Sequence, residues 1–381
     1  MTKISYVDLL RTGPGTLAGR YLRRFWQPVA LSDDIAKSKA KPIQVMNERF
    51  TLYRGESGKA YLIGPRCSHR GAQLSAGWVE GEAIRCMYHG WKFGGDGRCV
   101  DQPAENENFK EKAGLPAYPT TEYLGLVFAY LGDGEPPAFP RYPWMEATQG
   151  VRECDAYTRY SNYFYTLDNH SDEVHVVFAH RNTAFTRAGL AEVPEVDGEE
   201  TDYGLRITAR APNGNVRANQ LLMPNAIMFK STPGEGGFSD RLAWRVPLDD
   251  NSHLSFGVEM RHITGAAADR YREARAEERE RAKLSAGLHG SNEVARQILA
   301  GHRSLEDPDV LARPDLVNIQ DCVAQMGQPR VEEGPFEYLG QSDRGVILFR
   351  RLWIRELTAL AEGRPLKHWQ VPSELATQSG A

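Results

Sequence analysis

Short runs of alternating hydrophobic and polar residues, separated by glycine and proline turns, fill the first third of the chain. Such runs are typical of antiparallel strands. We predict strands over residues 45–53, 60–63, 82–86, 91–93 and 124–130. A bridge rich in glycine and proline follows, and it places a domain boundary near Pro143, between residues 1–143 and 144–381.

Longer strands and helices alternate in the second half. Strands are predicted over residues 155–163, 204–211, 220–229, 240–246 and 253–259. Helices are predicted over residues 269–284, 314–327 and 341–362. The expected fold is therefore α+β, with an all-β N-terminal domain followed by a domain in which helices flank an antiparallel sheet.

Composition narrows the class of protein. The 381 residues carry a net charge of −4, which gives no bias toward nucleic acid or an anionic membrane. No apolar run approaches the roughly 20 residues of a membrane span, and the first residues lack the hydrophobic stretch of a signal peptide. The five cysteines do not resemble a disulfide framework, so we expect a reducing, cytoplasmic location.

Two mixed cysteine–histidine motifs give the strongest chemical signal. Cys67 and His69 form the first, and Cys86 and His89 form the second, with 16 residues between them. Two thiolates and two imidazoles suit a two-iron cluster in which histidines replace cysteines on one iron. Zinc is the rival metal, but its finger spacings pair cysteine with cysteine and histidine with histidine. The mixed halves therefore favour a cluster.

A second set of candidate ligands lies in the second half. Asp168, Asp172 and His175 fall on one face of a predicted helix, and His180 follows five residues after His175. Either the helix ends at His180, or it contains a π-type turn, which is frequent at functional sites. A histidine pair alone is more often structural or catalytic in another way. Together with a carboxylate, two histidines form the ligand set of non-haem Fe(II) oxygenases.

Asp321 is the predicted carboxylate ligand from a different element. It lies on a predicted helix among apolar residues, where a charge is costly to bury unless it is paired or bound to a metal. Asp309 and Asp315 are weaker candidates, because each adjoins a proline in a stretch that resembles a loop.

These motifs resemble a known family. Cys67-Ser-His-Arg-Gly-Ala and Cys86-Met-Tyr-His-Gly-Trp-Lys-Phe are similar to the two ligand loops of a Rieske [2Fe–2S] domain. The leader from Gly13, the Asp-x₃-Asp-x₂-His-x₄-His pattern and the residues around Asp321 are similar to those of phthalate-dioxygenase-type Rieske oxygenases. Residues 328–337 keep only part of the family's pattern. The resemblance covers nearly the whole chain and implies the catalytic α-subunit of a Rieske non-haem iron oxygenase.

The resemblance also implies which residues hold the metals. Cys67, His69, Cys86 and His89 are expected to bind the [2Fe–2S] cluster, and His175, His180 and Asp321 the mononuclear Fe(II). Asp172 would bridge a cluster histidine of one subunit and an iron histidine of its neighbour in an α₃ ring, either a single homotrimer or stacked trimers.

An external electron source follows from the same resemblance. The chain has no nucleotide-binding glycine motif, so a separate NAD(P)H-dependent reductase is required. We expect it to carry flavin and iron–sulfur centres and to act with or without a ferredoxin. The other partners are O₂ and a small aromatic substrate.

The expected reaction is O₂-dependent hydroxylation or O-demethylation of an aromatic, carboxylated substrate. Cis-dihydroxylation of the ring is the alternative on the same fold. A Rieske electron carrier is the alternative from another class, but it needs only the first ~150 residues. It would leave Asp172, His175 and His180 without a role.

Pocket residues are harder to predict, because hydrophobic positions near the iron also suit a plain core. The candidates are Phe178, Leu222, Met223, Ile227 and Phe229. Arg206, Arg210 and Arg217 are candidates to pair with a substrate carboxylate, although surface strand positions explain them equally well.

Overall fold

The structure is a computed structural model that describes residues 4–106, 109–146, 149–183, 192–230, 239–284, 290–334 and 336–372. The first part of the chain is built from antiparallel strands, and the second part from a larger antiparallel sheet with helices on it. The predicted α+β fold is confirmed.

Eleven of the described strands lie in the first part. They are β1 Trp26–Leu31, β2 Lys39–Val45, β3 Glu48–Arg54, β4 Ala60–Ile63, β5 Trp78–Glu80, β6 Ala83–Arg85, β7 Lys92–Gly94, β8 Cys99–Asp101, β9 Ala117–Tyr118, β10 Thr120–Tyr123 and β11 Leu126–Tyr130. They form two four-stranded sheets, in the orders β2-β3-β4-β9 and β5-β6-β7-β8, and a three-stranded sheet, β1-β11-β10.

The second part is organised around one seven-stranded antiparallel sheet. Its strands are β12 Val151–Arg159, β13 Glu195–Glu200, β14 Gly204–Arg210, β15 Val216–Leu222, β16 Ala226–Lys230, β17 Ser239–Asp249 and β18 Ser252–Arg261. They lie in the order β12-β18-β17-β16-β15-β14-β13. The first strand thus pairs with the last, and the other strands follow one another as hairpins.

The described α-helices flank these sheets. They are α1 Tyr6–Leu10, α2 Leu17–Leu22, α3 Tyr163–Ser171, α4 His175–Ala179, α5 Gly265–Leu284, α6 Ser291–Leu299, α7 Pro308–Leu311, α8 Leu316–Met326 and α9 Arg344–Ala361. Helix α7 lies inside a stretch that the sequence predicts as a loop. None of the described helices is long and apolar enough to cross a membrane.

Two predicted strands are in fact hairpins. The strand predicted over residues 45–53 turns back at Met46 and Asn47, whose φ angles are 50° and 63°. The strand predicted over residues 220–229 turns after Leu222 and re-enters the sheet at Ala226. Each turn begins with a buried methionine, Met46 or Met223, which continues the hydrophobic run, although Asn47 and the Pro224–Asn225 pair are residues typical of turns.

One hydrophobic core joins the leader to the second part. Leu9 and Leu10 are buried in it, and the ring of Tyr21 packs edge-on against Trp353 of α9 at 5.2 Å between centroids. The same core contains residues of β1, β3 and β11. The domain boundary near Pro143 stays a prediction.

Candidate metal centres

Two loops of matching geometry carry the four cysteine and histidine candidates. In the first, Cys67 N–H donates to the Ala72 carbonyl at 2.8 Å, and Gly71 N–H donates to the Cys67 carbonyl at 2.9 Å. In the second, Cys86 bonds in the same way to Trp91 at 2.8 Å and Gly90 at 3.1 Å. Gly71 and Gly90 have φ angles of 74° and 77°, which favour glycine. The sequence spacing thus folds into a pair of equivalent loops.

The loops bring the four side chains into one place. The rings of His69 and His89 lie 4.5 Å apart between centroids, and His69 stacks on Trp91 at 4.6 Å. Burial raises the pKa of the Cys67 thiol to about 11, the backbone amide of His69 lowers it, and the adjacent Cys86 thiol raises it further. His69 Nδ1 is buried and makes no hydrogen bond with a described residue. Paired buried thiols beside imidazoles fit a cluster of the predicted type.

The histidine end of this site reaches the surface. Cys67 and Cys86 are buried, whereas His69 and His89 are half-buried. Met87 and Tyr88 between them are 52% and 54% exposed. A cluster bound by these four residues would have its histidine side accessible to another molecule.

The helix that the sequence predicts through Asp168 and His175 is broken. Helix α3 ends at Ser171, Asp172 is extended, and α4 begins at His175. Asp168 therefore does not share a face with the histidines, and the expectation that it does is wrong. Its carboxylate instead bonds to Arg350 of α9 at 2.7 Å and to the Tyr6 hydroxyl at 2.8 Å. Because of this break, the direction of His175 is set by α4 and not by the face of α3 that carries Asp168.

Three predicted ligands converge at the end of α4. One ligand atom from each of His175, His180 and Asp321 lies within 4.8 Å of the others. His180 follows the last residue of α4, so the helix ends there and no π-type turn is needed. Asp321 comes from α8, and its Oδ1 lies 3.4 Å from His180 Nε2. That oxygen is buried and makes no hydrogen bond with a described residue.

Both histidines have one nitrogen already engaged. His175 Nδ1 donates to the Asp172 backbone carbonyl at 2.7 Å, and His180 Nδ1 donates to Gln320 Oε1 at 2.9 Å. This fixes the tautomer in which each Nε2 keeps its lone pair for a metal. Two imidazoles, one carboxylate and fixed tautomers fit a mononuclear iron.

Electrostatics around these ligands favour a cation. Burial raises the pKa of Asp321, but His180 and Arg159 outweigh it, so the carboxyl titrates below its usual range. Burial lowers the pKa of His180, but Asp321 outweighs it and raises that pKa overall. The carboxylate is therefore ionised and ready to balance a positive charge.

Asp172 caps the turn that precedes α4. Its Oδ1 accepts from the backbone N–H groups of Val174 at 2.8 Å and His175 at 3.3 Å. Its Oδ2 lies 3.7 Å from His175 Nδ1, and 26% of its side chain is exposed, so the carboxylate is partly accessible. The bridging role of Asp172 stays a prediction, as do the roles of the predicted metal ligands.

The weaker carboxylate candidates are engaged elsewhere. Asp309 forms an ion pair with Arg303, and Asp315 bonds to Arg313 at 2.8 Å and to the Ser291 hydroxyl at 2.7 Å. Neither is grouped with the two histidines.

The predicted pocket residues have different environments. Phe178 is 63% exposed. Leu222, Met223 and Ile227 are buried in the main core, and Phe229 packs against it. Register separates them further, because Ile227 pairs with Ala243, whereas Leu222 pairs with Ala226 on the opposite face of the sheet. Their contact with a substrate stays a prediction.

The sequence did not single out three residues that contact the ligands or the segment between them. Gln320 bonds to His180, and Arg159 lies 3.8 Å from Asp321. Glu173, whose side chain is fully buried, forms an ion pair with Arg217 and accepts a hydrogen bond from Asn219. In the sequence, the adjacent acids Asp172 and Glu173 beside the histidine motif could have indicated the role of Glu173. If both are near the site and one is buried, that carboxylate needs a positively charged partner of its own.

Comparison with known families gives one match for the first part of the chain. Residues 25–119 match the model of the Rieske [2Fe-2S] domain. This range contains both ligand loops and begins after α2.

Similar proteins extend over most of the chain. It is 32% identical to the phenoxybenzoate dioxygenase subunit alpha of Ectopseudomonas oleovorans, over 93% of this chain and 85% of that one. It is 28% identical to the 5,5'-dehydrodivanillate O-demethylase oxygenase subunit of Sphingobium sp. (strain NBRC 103272 / SYK-6), over 94% of this chain and 81% of that one.

Solved structures share the fold. The NdmA QL mutant of Pseudomonas putida CBB5 with theobromine aligns with a TM-score of 0.68 at 21% identity, over 91% of this chain and 94% of that one. The oxygenase of carbazole 1,9a-dioxygenase, in its complex with ferredoxin, aligns with a TM-score of 0.65 at 19% identity, over 92% and 95%.

Proposed function

Because this chain belongs to the Rieske non-haem iron oxygenase family, as an oxygenase α-subunit, we propose that it hydroxylates or O-demethylates a small aromatic substrate with O₂. The convergence of His175, His180 and Asp321 carries this proposal, since an electron carrier has no use for a second metal site. The family prediction made from the motifs is confirmed.

The family's cofactors are a Rieske [2Fe–2S] cluster and a mononuclear iron. When bound, the cluster supplies electrons one at a time, and the iron activates O₂ beside the substrate. We assign Cys67, His69, Cys86 and His89 to the cluster, and His175, His180 and Asp321 to the iron. The matching loops and the fixed histidine tautomers support these assignments.

The chain's own part in catalysis is placement. Asp172 and Gln320 hold the two imidazoles with Nε2 toward one point, and Asp321 supplies the charge. A metal held by two imidazoles and one carboxylate would keep open positions for O₂, and the substrate would lie beside them. The partial exposure of Asp321, 16% of its side chain, is consistent with an approach from that side.

Electrons are proposed to cross between subunits of an α₃ ring. The half-buried His69 and His89 and the exposed Tyr88 present the cluster outward, and the Asp172 carboxylate is also accessible. Asp172 would join a histidine of the neighbouring cluster to His175, whose Nδ1 it already contacts through its carbonyl.

The electron donor is a separate protein, as in other multicomponent systems of this family. A structurally similar oxygenase is solved in complex with a ferredoxin. We propose a flavin- and iron–sulfur-containing reductase that uses NAD(P)H, with or without such a ferredoxin. The five described cysteines are free thiols, which supports a cytoplasmic location.

The test is product formation. The protein with both metals is reduced chemically, exposed to ¹⁸O₂ with a panel of aromatic acids and aryl methyl ethers, and the products are analysed by mass. A phenol with one labelled oxygen or loss of a methyl group supports the proposal, whereas a cis-diol with two labelled oxygens supports ring dihydroxylation. If the cluster is oxidised and no labelled product forms, the protein is only an electron carrier and the proposal is wrong.

A further inference from the structure

An aromatic side chain lies against each of the two histidines proposed for the cluster, and the two aromatic rings differ in depth. The ring of His69 stacks on Trp91, with 4.6 Å between centroids and 9° between the planes. The ring of His89 lies 3.9 Å from that of Tyr88, at a tilt of 40°. Trp91 is 4% exposed, whereas Tyr88 is 54% exposed. One face of His69 is therefore covered by a buried indole, whereas the aromatic ring beside His89 lies at the surface.

Trp91 belongs to the core around the two cysteines. A small hydrophobic core, separate from the main one, contains Trp91 together with Cys67, Cys86 and Phe93. The Trp91 carbonyl accepts from Cys86 N–H at 2.8 Å, so the loop of Cys86 and His89 fixes the backbone that carries the indole. From there the indole reaches across to the histidine of the other loop.

The segment that follows β8 packs over this stack. The ring of Phe109 meets that of Trp91 edge-on, at 5.5 Å between centroids and 71° between the planes. Phe109 is 43% exposed, so it forms the outer layer and Trp91 the inner one. Pro103 of the same segment lies so near Gly90 that a Cβ atom on Gly90 would come within 2.9 Å of the proline Cγ. The segment therefore packs against both the indole and the loop that carries His89.

The indole of Trp91 contributes apolar contact area. Its Nε1 is buried and makes no hydrogen bond with a described residue. Its ring contacts are with the imidazole of His69 and the ring of Phe109. A flat, apolar ring in this position excludes water from one face of the imidazole and adds no charge.

Access of water to a cluster of this type changes its reduction potential. In the oxidised state the charges of the ferric ions, sulfides and thiolates cancel, and the imidazoles are neutral, so one added electron makes the cluster negative. Water stabilises a charge, and keeping a charge away from water costs free energy. Solvent exposure is accordingly one of the factors that set the potential of such clusters. Excluding water favours the neutral, oxidised form and lowers the potential.

We propose that Trp91 is a positioning residue for the cluster, which fixes the plane of the His69 ring and lowers the reduction potential by excluding water from that side. The inference rests on the proposed function, because it requires His69 to bind the cluster. A lower potential makes the reduced cluster a stronger electron donor, which suits a centre that passes its electron on to an iron site. The surface position of Tyr88 leaves the His89 side accessible meanwhile.

Spectroelectrochemical titration of the protein with both metals tests this inference without substrate or turnover. Trp91→Leu should raise the reduction potential of the cluster. At a fixed applied potential the ratio of reduced to oxidised cluster should rise about 3- to 10-fold, which is about 28–59 mV for one electron. Trp91→Phe keeps a flat ring on His69 and should shift the potential much less. Pulsed EPR of the reduced cluster in D₂O should show stronger deuterium coupling in Trp91→Leu, because water then reaches the imidazole.

Two further variants separate this effect from a folding defect. Phe109→Ala removes only the outer, partly exposed layer, and it should raise the potential in the same direction by a smaller amount, even where Trp91→Leu loses its cluster. Trp78→Leu replaces a tryptophan of β5 that is 57% exposed. It is the matched control and should change neither the potential nor the deuterium coupling.

Three results would overturn the proposal. The first is an unchanged or lowered potential in Trp91→Leu, or in Phe109→Ala where Trp91→Leu binds no cluster. The second is an equal shift in Trp91→Phe, which would assign the effect to the indole N–H. The third is an equal shift in the control Trp78→Leu. The proposed function is tested separately, by labelled product from the unmodified protein, so an active oxygenase whose potential does not depend on Trp91 would refute only this inference.

Discussion

At the scale of single residues, the proposed iron site depends on atoms that do not touch the metal. The Nδ1–H of each histidine is held by a neighbouring oxygen, from the Asp172 backbone or from Gln320. Such partners set the tautomer and the ring angle, and their loss typically lowers metal affinity 10- to 100-fold. Gln320, only 4% exposed, is therefore a positioning residue.

Gln320→Leu should weaken iron binding by about 10- to 100-fold and leave the cluster intact, because only the partner of His180 is lost. Iron content after dialysis against a chelator measures the first effect, and the visible absorbance of the cluster measures the second. Gln328→Leu, at an exposed position beyond the same helix, is the matched control. Iron retention equal to that of the unmodified protein would show that Gln320 has no positioning role.

Asp172→Asn should keep both metals and stop turnover. The amide oxygen still accepts from Val174 and His175, so the turn is preserved, but the charge proposed to join the two metal centres is removed. Stopped-flow absorbance should show a reduced cluster that no longer reoxidises with substrate and O₂. Asp197→Asn, an exposed acid on β13, should reoxidise normally. Full activity of Asp172→Asn would exclude the bridge.

At the scale of elements, the broken helix is held at its junction by one buried carboxylate. Glu173 lies between α3 and α4, and it reaches Arg217 and Asn219 on β15. This contact fixes the segment between Asp172 and His175 against the sheet. The junction is therefore held in place by a buried contact although it lacks regular structure.

Glu173→Met should destabilise the protein by roughly 3–5 kcal/mol, since Arg217 is left buried without its partner. Burial by itself lowers the pKa of Arg217 to about 10. The double variant Glu173→Met/Arg217→Met should recover most of this loss, because neither charge remains buried. Denaturant unfolding curves measure both. A double variant as unstable as the single one would mean that packing, and not charge, holds the junction.

Asp168 links three helices and makes stability depend on pH. Burial raises its pKa to about 6, and Arg350 and then Tyr6 offset only part of that rise. The folded protein thus keeps this proton at a pH where the unfolded chain, with a pKa near 3.8, has lost it. The stability that the group contributes is complete below about pH 4 and is lost as the pH rises through about 6.

Between pH 5 and pH 7 this loss amounts to about 1 kcal/mol. Asp168→Asn does not titrate, so its deficit in Tm relative to the unmodified protein should be smaller at pH 7 than at pH 5 by about 1–2 °C. Paired thermal scans at the two pH values measure it. A deficit that grows with pH would show that the ion pair with Arg350 outweighs burial.

At the scale of the whole molecule, activity is expected to require more than one chain. The cluster edge and Asp172 are both accessible, which suits contact between subunits. If electrons cross that contact, two different inactive chains should complement each other. Cys86→Ser removes a cluster ligand, and Asp321→Asn removes the charged ligand proposed for the iron.

Mixing these two variants under conditions that exchange subunits should restore up to about one quarter of full activity, since a quarter of the directed contacts in a random ring join a cluster to an iron. Each variant alone should be inactive. Activity that never rises above the separate variants, in verified mixed oligomers, would place electron transfer inside one chain.

The sequence by itself determined the cluster loops, the family and the fold class. Cys67 to Ala72 and Cys86 to Trp91 are short contiguous segments whose glycines dictate the turns, so local spacing already contained their geometry. Strand alternation in the second half predicted the large sheet, except at the hairpin between Leu222 and Ala226, where a buried methionine continues the hydrophobic run.

Only the tertiary structure decided which side chains far apart in the sequence pair with each other. Asp168 turned away to Arg350, 182 residues further along the chain, and Gln320 met His180 across 140 residues. Arg245 bonds to His170 and pairs with no carboxylate of the described residues, whereas Arg217 pairs with Glu173. Helical spacing says which residues share a face, but buried charges bind whichever opposite charge the packed fold brings within reach. The partner of a buried charge is therefore decided by the packing of the whole core, and the residues adjacent in sequence do not predict it.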